Sequence, residues 1–93
     1  MRAMWNGTVI AESDDTVVVE GNHYFPAACV KSEHLLHSNA RSMCSWKGEV
    51  RYHNLFVEGD VKPDAVWYIP EPYEAAAELK GRVAFGPGVR IEE

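Results

Sequence analysis

The chain has 93 residues, of which 46% are hydrophobic and 25% charged, and its formal net charge is −5. This length predicts a single domain over residues 1–93, because two domains would each be too small to bury a core. The chain has 14 carboxylates against nine basic residues. This balance argues against a nucleic-acid surface or a polybasic membrane contact, since both need clustered Lys and Arg.

The sequence shows no pattern typical of a membrane span or an export signal. No apolar run is long enough to cross a bilayer, and Met1-Arg2-Ala3-Met4 leads into polar residues. We therefore expect a cytoplasmic protein. In a reducing compartment Cys29 and Cys44 are expected to be free thiols, although their spacing alone does not exclude a disulfide.

The first quarter of the chain predicts a meander of short antiparallel strands. Asn6-Gly7 suits positive φ angles and therefore a tight turn, and residues 8–12 follow it as a strand. Residues 16–20 contain three successive valines, which favour a strand buried on both faces. Gly21-Asn22 predicts the next turn, before a further strand at 23–25.

The middle of the chain is less regular at first and then strongly strand-like. Residues 26–40 predict only a short helical turn with Ser32 as its N-cap, ended by polar loop residues. Residues 48–53 alternate apolar and polar side chains with a period of two, which is typical of a half-buried strand. Another β-prone run, 65–69, is bracketed by Pro63 and Pro70, neither of which can donate to a sheet.

Residues 72–81 predict the one helix of the chain. Pro72 suits its first turn, Glu74 lies near the positive end of the helix dipole, and Gly81 suits the left-handed position after the last turn. Ala76 and Leu79 are predicted to face a sheet. Since no βαβ alternation appears, the predicted fold is mainly β and antiparallel, with this one short C-terminal helix.

Several blocks of the sequence resemble a known family. They are Trp5-Asn6-Gly7, the run from Val18 to Pro26, Cys44-Ser45-Trp46-Lys47-Gly48, the run from Ala65 to Pro72, and Val83-Ala84-Phe85. This pattern is similar to that of the domain of unknown function 427 family. Members of that family usually carry Pro where this chain has Ser45. The resemblance implies a small antiparallel β-tent (Mss4-like) domain and brings no established reaction.

The residues do not support a nucleotidyltransferase label that has been attached to this family. Such chemistry needs a carboxylate pair for metal ions beside a phosphate-binding glycine loop, whereas Asp14-Asp15 lies in a predicted turn. Other β-tent proteins hold zinc through Cys-x-x-Cys pairs, which this chain lacks. We expect no metal and no cofactor. A site made of His34, His37, His53 and Cys44 is the weaker alternative.

The most plausible function from sequence is binding of a small molecule or a peptide group in an aromatic-lined pocket. Its candidate residues are Trp46, Lys47, Tyr52, Trp67 and Tyr68. Indole and phenol rings suit a pocket wall, and Lys47 would pair with an anionic group. The same rings are also needed for the core of so small a domain. Consecutive strand residues point to opposite faces, so Trp67 and Tyr68 cannot both be core residues, and one of them should line an outer surface or a cleft.

Two other functions remain open at this point. Cys44 is a candidate nucleophile of a thiol enzyme or redox protein, because Lys47, Arg51 and His53 lie near it in sequence and would favour the thiolate. Against this, a free cysteine usually packs as a small apolar residue. The third possibility is a homodimer that buries an aromatic patch, so the expected state is a monomer or a homodimer.

Overall fold

The computed structural model describes residues 1–93 and confirms the mainly β prediction. Its strands are β1 (Arg2–Trp5), β2 (Thr8–Glu12), β3 (Val17–Val19), β4 (Asn22–Pro26), β5 (Leu35–Cys44), β6 (Gly48–Val57), β7 (Asp60–Tyr68), β8 (Arg82–Phe85) and β9 (Arg90–Glu92). They form a smaller sheet, in the order β2-β1-β9, and a larger sheet, in the order β3-β4-β8-β7-β6-β5. All pairings are antiparallel. None of the helical segments is long and apolar enough to cross a membrane.

Three hairpins reverse the chain through the same kind of two-residue loop. The loops are Asn6-Gly7, Glu20-Gly21 and Glu58-Gly59, and both residues of each have positive φ angles. This is the signature of the type I′ turn, whose twist matches that of the two strands it joins. The second loop lies one residue earlier than the sequence predicted. It places Glu20 in a backbone region that glutamate seldom occupies.

Two groups of buried side chains pack on opposite faces of the larger sheet. The first core lies between the two sheets and includes Ile10, Phe25, Leu55 and Phe85. The second core lies on the other face of the larger sheet and consists of Tyr24, Val50, Ile69, Ala76, Leu79 and Ala84. Neighbouring residues of a strand enter different cores, as Tyr24 and Phe25 do, because side chains alternate across a sheet.

The predicted helix over 72–81 is wrong in type. Residues Glu74–Leu79 form 3₁₀ turns, in which Ala76 N–H donates to Tyr73 C=O and Lys80 N–H donates to Ala77 C=O. Ala76, with φ of −121°, interrupts the helical backbone. Because so short a segment has little helical stability of its own, its packing on the larger sheet decides its conformation. Ala76 and Leu79 do face the larger sheet, as expected, and both are fully buried.

Three local predictions fail, two of them at the edges of the larger sheet and one at Ser32. Val18 is 57% exposed, because β3 is an edge strand and is not covered on both faces. Residues 35–40, expected to be irregular, form the first half of β5, the opposite edge of the same sheet. Their polar side chains suit a strand that faces solvent. Ser32 begins a 3₁₀ turn, Ser32–His34, rather than capping it.

A break in the register of β6 and β7 positions Asp64. Pairing passes from His53–Val66 to Leu55–Lys62, so residues 63–65 bulge out opposite Asn54. Asp64 takes a φ of 53°, and its N–H donates to Asn54 Oδ1 at 2.8 Å. Pro63 therefore lies inside β7 and not before it, at a bulge where a missing N–H is tolerated.

Packing of the 74–79 segment predicts a large stability difference between two neighbouring substitutions. We expect Leu79→Ala to lower the free energy of unfolding by about 2–5 kcal/mol, because its fully buried side chain leaves a cavity in the second core. Glu78→Ala, at an exposed position, should change it by no more than about 0.5 kcal/mol. Urea denaturation measures both. Equal, small effects would show that the segment is not docked on the sheet.

Candidate functional site

An open cleft of about 380 Å³ lies on the face of the larger sheet that carries the second core. Val50 and Ile69 form its apolar floor, and Tyr24, Tyr52 and Trp67 supply aromatic side chains. Tyr52 on β6 is paired directly with Trp67 on β7. The 74–79 segment covers only part of this face, so the remainder is left as a concave surface.

Hydrogen bonds hold the aromatic side chains of the cleft in place. Trp67 Nε1–H donates to Tyr24 Oη at 3.2 Å, and Tyr24 is fully buried. The Tyr24 hydroxyl keeps its own proton for a further acceptor, because the indole can only donate. Tyr52 Oη and Ser42 Oγ lie 2.9 Å apart. The cleft is therefore largely formed in the free protein.

Lys47 brings a positive charge to the cleft. Its side chain is only 12% exposed and forms an ion pair with Glu20 in the β3–β4 turn. Lys47 Nζ also lies 5.2 Å from the centroid of the Trp46 ring, within the range of a cation–π contact. Asp64, exposed on the β7 bulge, contributes a carboxylate to the lining of the same cleft.

The pKa of Lys47 reflects opposing effects. Burial lowers it, but the hydrogen bond to Glu20 and the negative charges of Tyr24, Glu20 and Cys44 in their ionised forms outweigh burial and raise the pKa above its ordinary value of 10.5. Lys47 is therefore an ammonium at neutral pH. It can donate hydrogen bonds and attract anions, and it is unsuited to act as a base or nucleophile at that pH.

The turn that carries Lys47 is fixed against the chain that precedes the 74–79 segment. Tyr73 N–H donates to Lys47 C=O at 2.9 Å. Gly48 has a φ of 118°, and a Cβ at this position would lie 3.2 Å from the Glu71 carbonyl oxygen. Both the backbone angle and the close approach require glycine here. The Cys44-Ser45-Trp46-Lys47-Gly48 block thus has a structural role independent of any ligand.

The structure brings three of the five candidate binding residues into this cleft: Lys47, Tyr52 and Trp67. Trp46 is 38% exposed and lies beside Lys47 without lining the cleft. Tyr68 lies on the opposite face of the sheet, where its ring stacks on His53. The alternation of strand residues separates it from Trp67.

Of the side chains with polar atoms that line the cleft, sequence analysis missed two, Tyr24 and Asp64. The predicted strand at 23–25 contained Tyr24 but could not show which strand would lie beside it. The position of Asp64 depends on the bulge, which has no clear sequence signal apart from Pro63.

Cys44 is half-buried against the second core, and both cysteines are free. Of the three basic residues near Cys44 in sequence, Lys47 has an electrostatic interaction with the Cys44 thiolate. Arg51 is paired with Glu49, and His53 lies on the other face with Tyr68.

His34 and His37 bond to Phe56 C=O and to Asn39 respectively. No three His, Cys, Asp or Glu side chains lie close enough together to hold a metal ion.

The ion pair predicts an upward displacement of the Lys47 titration. We expect the ¹³Cε signal of Lys47 to titrate above the ordinary lysine pKa of 10.5. Since the pKa is raised on folding, the stabilisation from this charge is complete below pH 10.5 and is lost as the pH rises through the folded pKa. Glu20→Gln should lower the pKa of Lys47, because the negative charge that opposes the effect of burial is removed.

Glu58→Gln is the matched control, since Glu58 occupies the same turn position as Glu20 in another hairpin. It should leave the Lys47 titration unchanged. A Lys47 titration that is the same in both variants would contradict the assignment of the raised pKa to Glu20.

Gly48 predicts a second measurable difference. We expect Gly48→Ala to lower the free energy of unfolding by about 2–4 kcal/mol, because a strained φ angle is combined with a close carbonyl contact. Gly59→Ala meets no atom within 4 Å and has a φ of 82°, so it should cost about 1–2 kcal/mol of left-handed backbone strain. Thermal or urea denaturation compares them. Equal losses would mean that the contact with Glu71 is not important.

Comparison with known proteins assigns a family without assigning an activity. No curated protein matches this chain. A family model described as Domain of unknown function (DUF427) matches residues 1–93. The match covers the whole of the sequence, including both sheets and the turn from Cys44 to Gly48. The chain therefore belongs to the DUF427 family of domains of unknown function.

Proposed function

We propose that this domain binds a small molecule, or a terminal group of a peptide, in the cleft formed by Tyr24, Lys47, Tyr52 and Trp67. The observation that carries the proposal is a lysine side chain that is only 12% exposed and lies beside ordered aromatic side chains in one concave surface. Its volume of about 380 Å³ falls in the range of small-molecule sites. An apolar floor with few polar groups is also typical of such sites.

The chemistry of the lining favours a ligand with a flat ring and a hydrogen-bond acceptor. The ring would pack against Trp67 and Tyr52, which lie side by side on neighbouring strands. The acceptor would meet Lys47, whose ammonium has three N–H groups and has Glu20 as its one ion-pair partner. Because Glu20 already balances the charge of Lys47, an amide or ketone oxygen suits this position as well as a carboxylate does.

The decisive experiment follows the three tryptophan indole N–H signals in ¹H–¹⁵N spectra during a screen of aromatic amide and carboxylate fragments. We expect fragments that bind in the cleft to shift the Trp67 indole signal in a saturable manner, because its N–H bond to Tyr24 lies in the cleft wall. The Trp5 signal, from the smaller sheet, should not move.

The variants Trp67→Phe and Lys47→Met should weaken any fragment found in this way by about tenfold, the equivalent of one charge-assisted hydrogen bond or one stacking contact. Trp5→Phe is the matched control for loss of an indole and should bind normally. If no fragment shifts Trp67, or if all three variants bind equally well, the cleft is not the binding site.

Two finer assignments accompany this proposal. We propose the β-tent (Mss4-like) arrangement for the two sheets, which is supported by their packing against each other through the first core. We also propose the cytoplasm as the compartment, which is supported by the free state of Cys29 and Cys44.

The other two hypotheses remain predictions. A thiol enzyme would require Cys44 to react with iodoacetamide faster than Cys29 does at neutral pH. A homodimer would be favoured by the exposed side chains of Met43 and Tyr73, which lie together at one edge of the larger sheet. Sedimentation over a range of concentrations would detect it.

A further inference from the structure

A second cleft, of about 460 Å³, lies on the opposite face of the larger sheet from the first. Leu35, Tyr68 and Val83 give it apolar walls, and His53 lies beside them. None of its lining residues belongs to the smaller sheet, which covers the rest of this face. The second cleft is therefore the part of the face that the smaller sheet leaves open.

Two polar side chains in this cleft have no partner in the chain. The rings of His53 and Tyr68 stack with centroids 4.8 Å apart and planes 15° apart, and both residues are half-buried. The other three histidines form hydrogen bonds through a ring nitrogen, and the other three tyrosine hydroxyls also form hydrogen bonds. The polar atoms of both side chains reach solvent and are not enclosed. They are therefore free to bond to water or to a ligand in this cleft.

The charge of the second cleft is opposite to that of the chain. Lys80 and Arg82 line it and no carboxylate does, in a chain whose net charge is −5. Arg82 is already engaged, because its guanidinium donates to the Asp15 carboxylate at 3.0 Å and to the carbonyl oxygens of Asp15 and Tyr24. Lys80 is exposed and has no ion-pair partner, so it supplies the uncompensated positive charge.

His53 is a neutral hydrogen-bonding group at pH 7. Burial lowers its pKa below the ordinary 6.5, and the nearby charge of His37 lowers it further. A neutral imidazole has one N–H donor and one nitrogen acceptor. Together with the Tyr68 hydroxyl, it offers directional hydrogen bonds next to an apolar wall, while Lys80 offers the charge.

We propose that the second cleft binds a small apolar carboxylate, with its hydrocarbon part against Leu35, Tyr68 and Val83 and its anionic end toward Lys80. The His53 imidazole and the Tyr68 hydroxyl donate hydrogen bonds to the bound molecule. This site does not depend on the function proposed for the first cleft, because the two clefts share only Ile69 and have no polar side chain in common.

The test uses the whole chain and two probes of nearly the same shape, phenylacetate and its neutral amide, phenylacetamide. At pH 7 we expect phenylacetate to shift the ring signals of His53 and Tyr68 in a saturable manner, and phenylacetamide to bind at least about threefold more weakly. The Trp67 indole signal reports on the first cleft. Any shift of it should therefore saturate at a different probe concentration from the shifts of His53 and Tyr68.

Lys80→Met should weaken phenylacetate by about three- to tenfold and leave phenylacetamide unchanged, because it removes charge and not apolar surface. Lys31→Met, also at an exposed lysine, is the matched control and should have no effect. Tyr68→Phe removes only a hydroxyl and should weaken both probes. The proposal is overturned by the absence of a saturable shift at His53 and Tyr68, by equal binding of the two probes, by equal effects of the two lysine variants, or by shifts confined to Trp67.

Discussion

The six-stranded sheet has both of its faces buried against other parts of a 93-residue chain, and this constraint shapes the rest of the molecule. The smaller sheet covers one face, and the 74–79 segment covers the other. Neither cover is as large as the sheet beneath it, so each leaves a concave region open. The two clefts are these uncovered regions, and the consecutive β7 residues Trp67 and Tyr68 line different clefts.

The two clefts differ in how their polar groups are held. In the first, the Lys47 ammonium is paired with Glu20, and the Trp67 indole donates to Tyr24. Such preorganised groups lose little freedom when a ligand binds. In the second, His53 and Tyr68 have no hydrogen-bond partner, and Lys80 has no counter-ion. The polar atoms of His53 and Tyr68 reach solvent, so a ligand in the second cleft would replace water and not a protein partner.

The block from Cys44 to Gly48 combines a structural turn with one residue that lines the first cleft. Gly48 is required by its backbone angle and by its approach to Glu71, and the Lys47 carbonyl anchors the chain at Tyr73. Cys44 packs against the second core. Within this block only Lys47 lines the cleft. Most of the motif therefore maintains the turn that delivers this one ammonium to the larger sheet.

The sequence by itself determined most of the strands and the tight turns of this protein. Alternation of apolar residues and turn dipeptides such as Asn6-Gly7 predicted the strands and several hairpins, because both signals act over a few residues. The same alternation separated Trp67 from Tyr68. Only the tertiary structure decided that β5 is an edge strand and that residues 74–79 form 3₁₀ turns. It also decided that Tyr24 lines the same cleft as Lys47 and that His53 stacks on Tyr68. Those outcomes depend on which distant strands become neighbours and how much of each face is covered, and no local pattern contains that information.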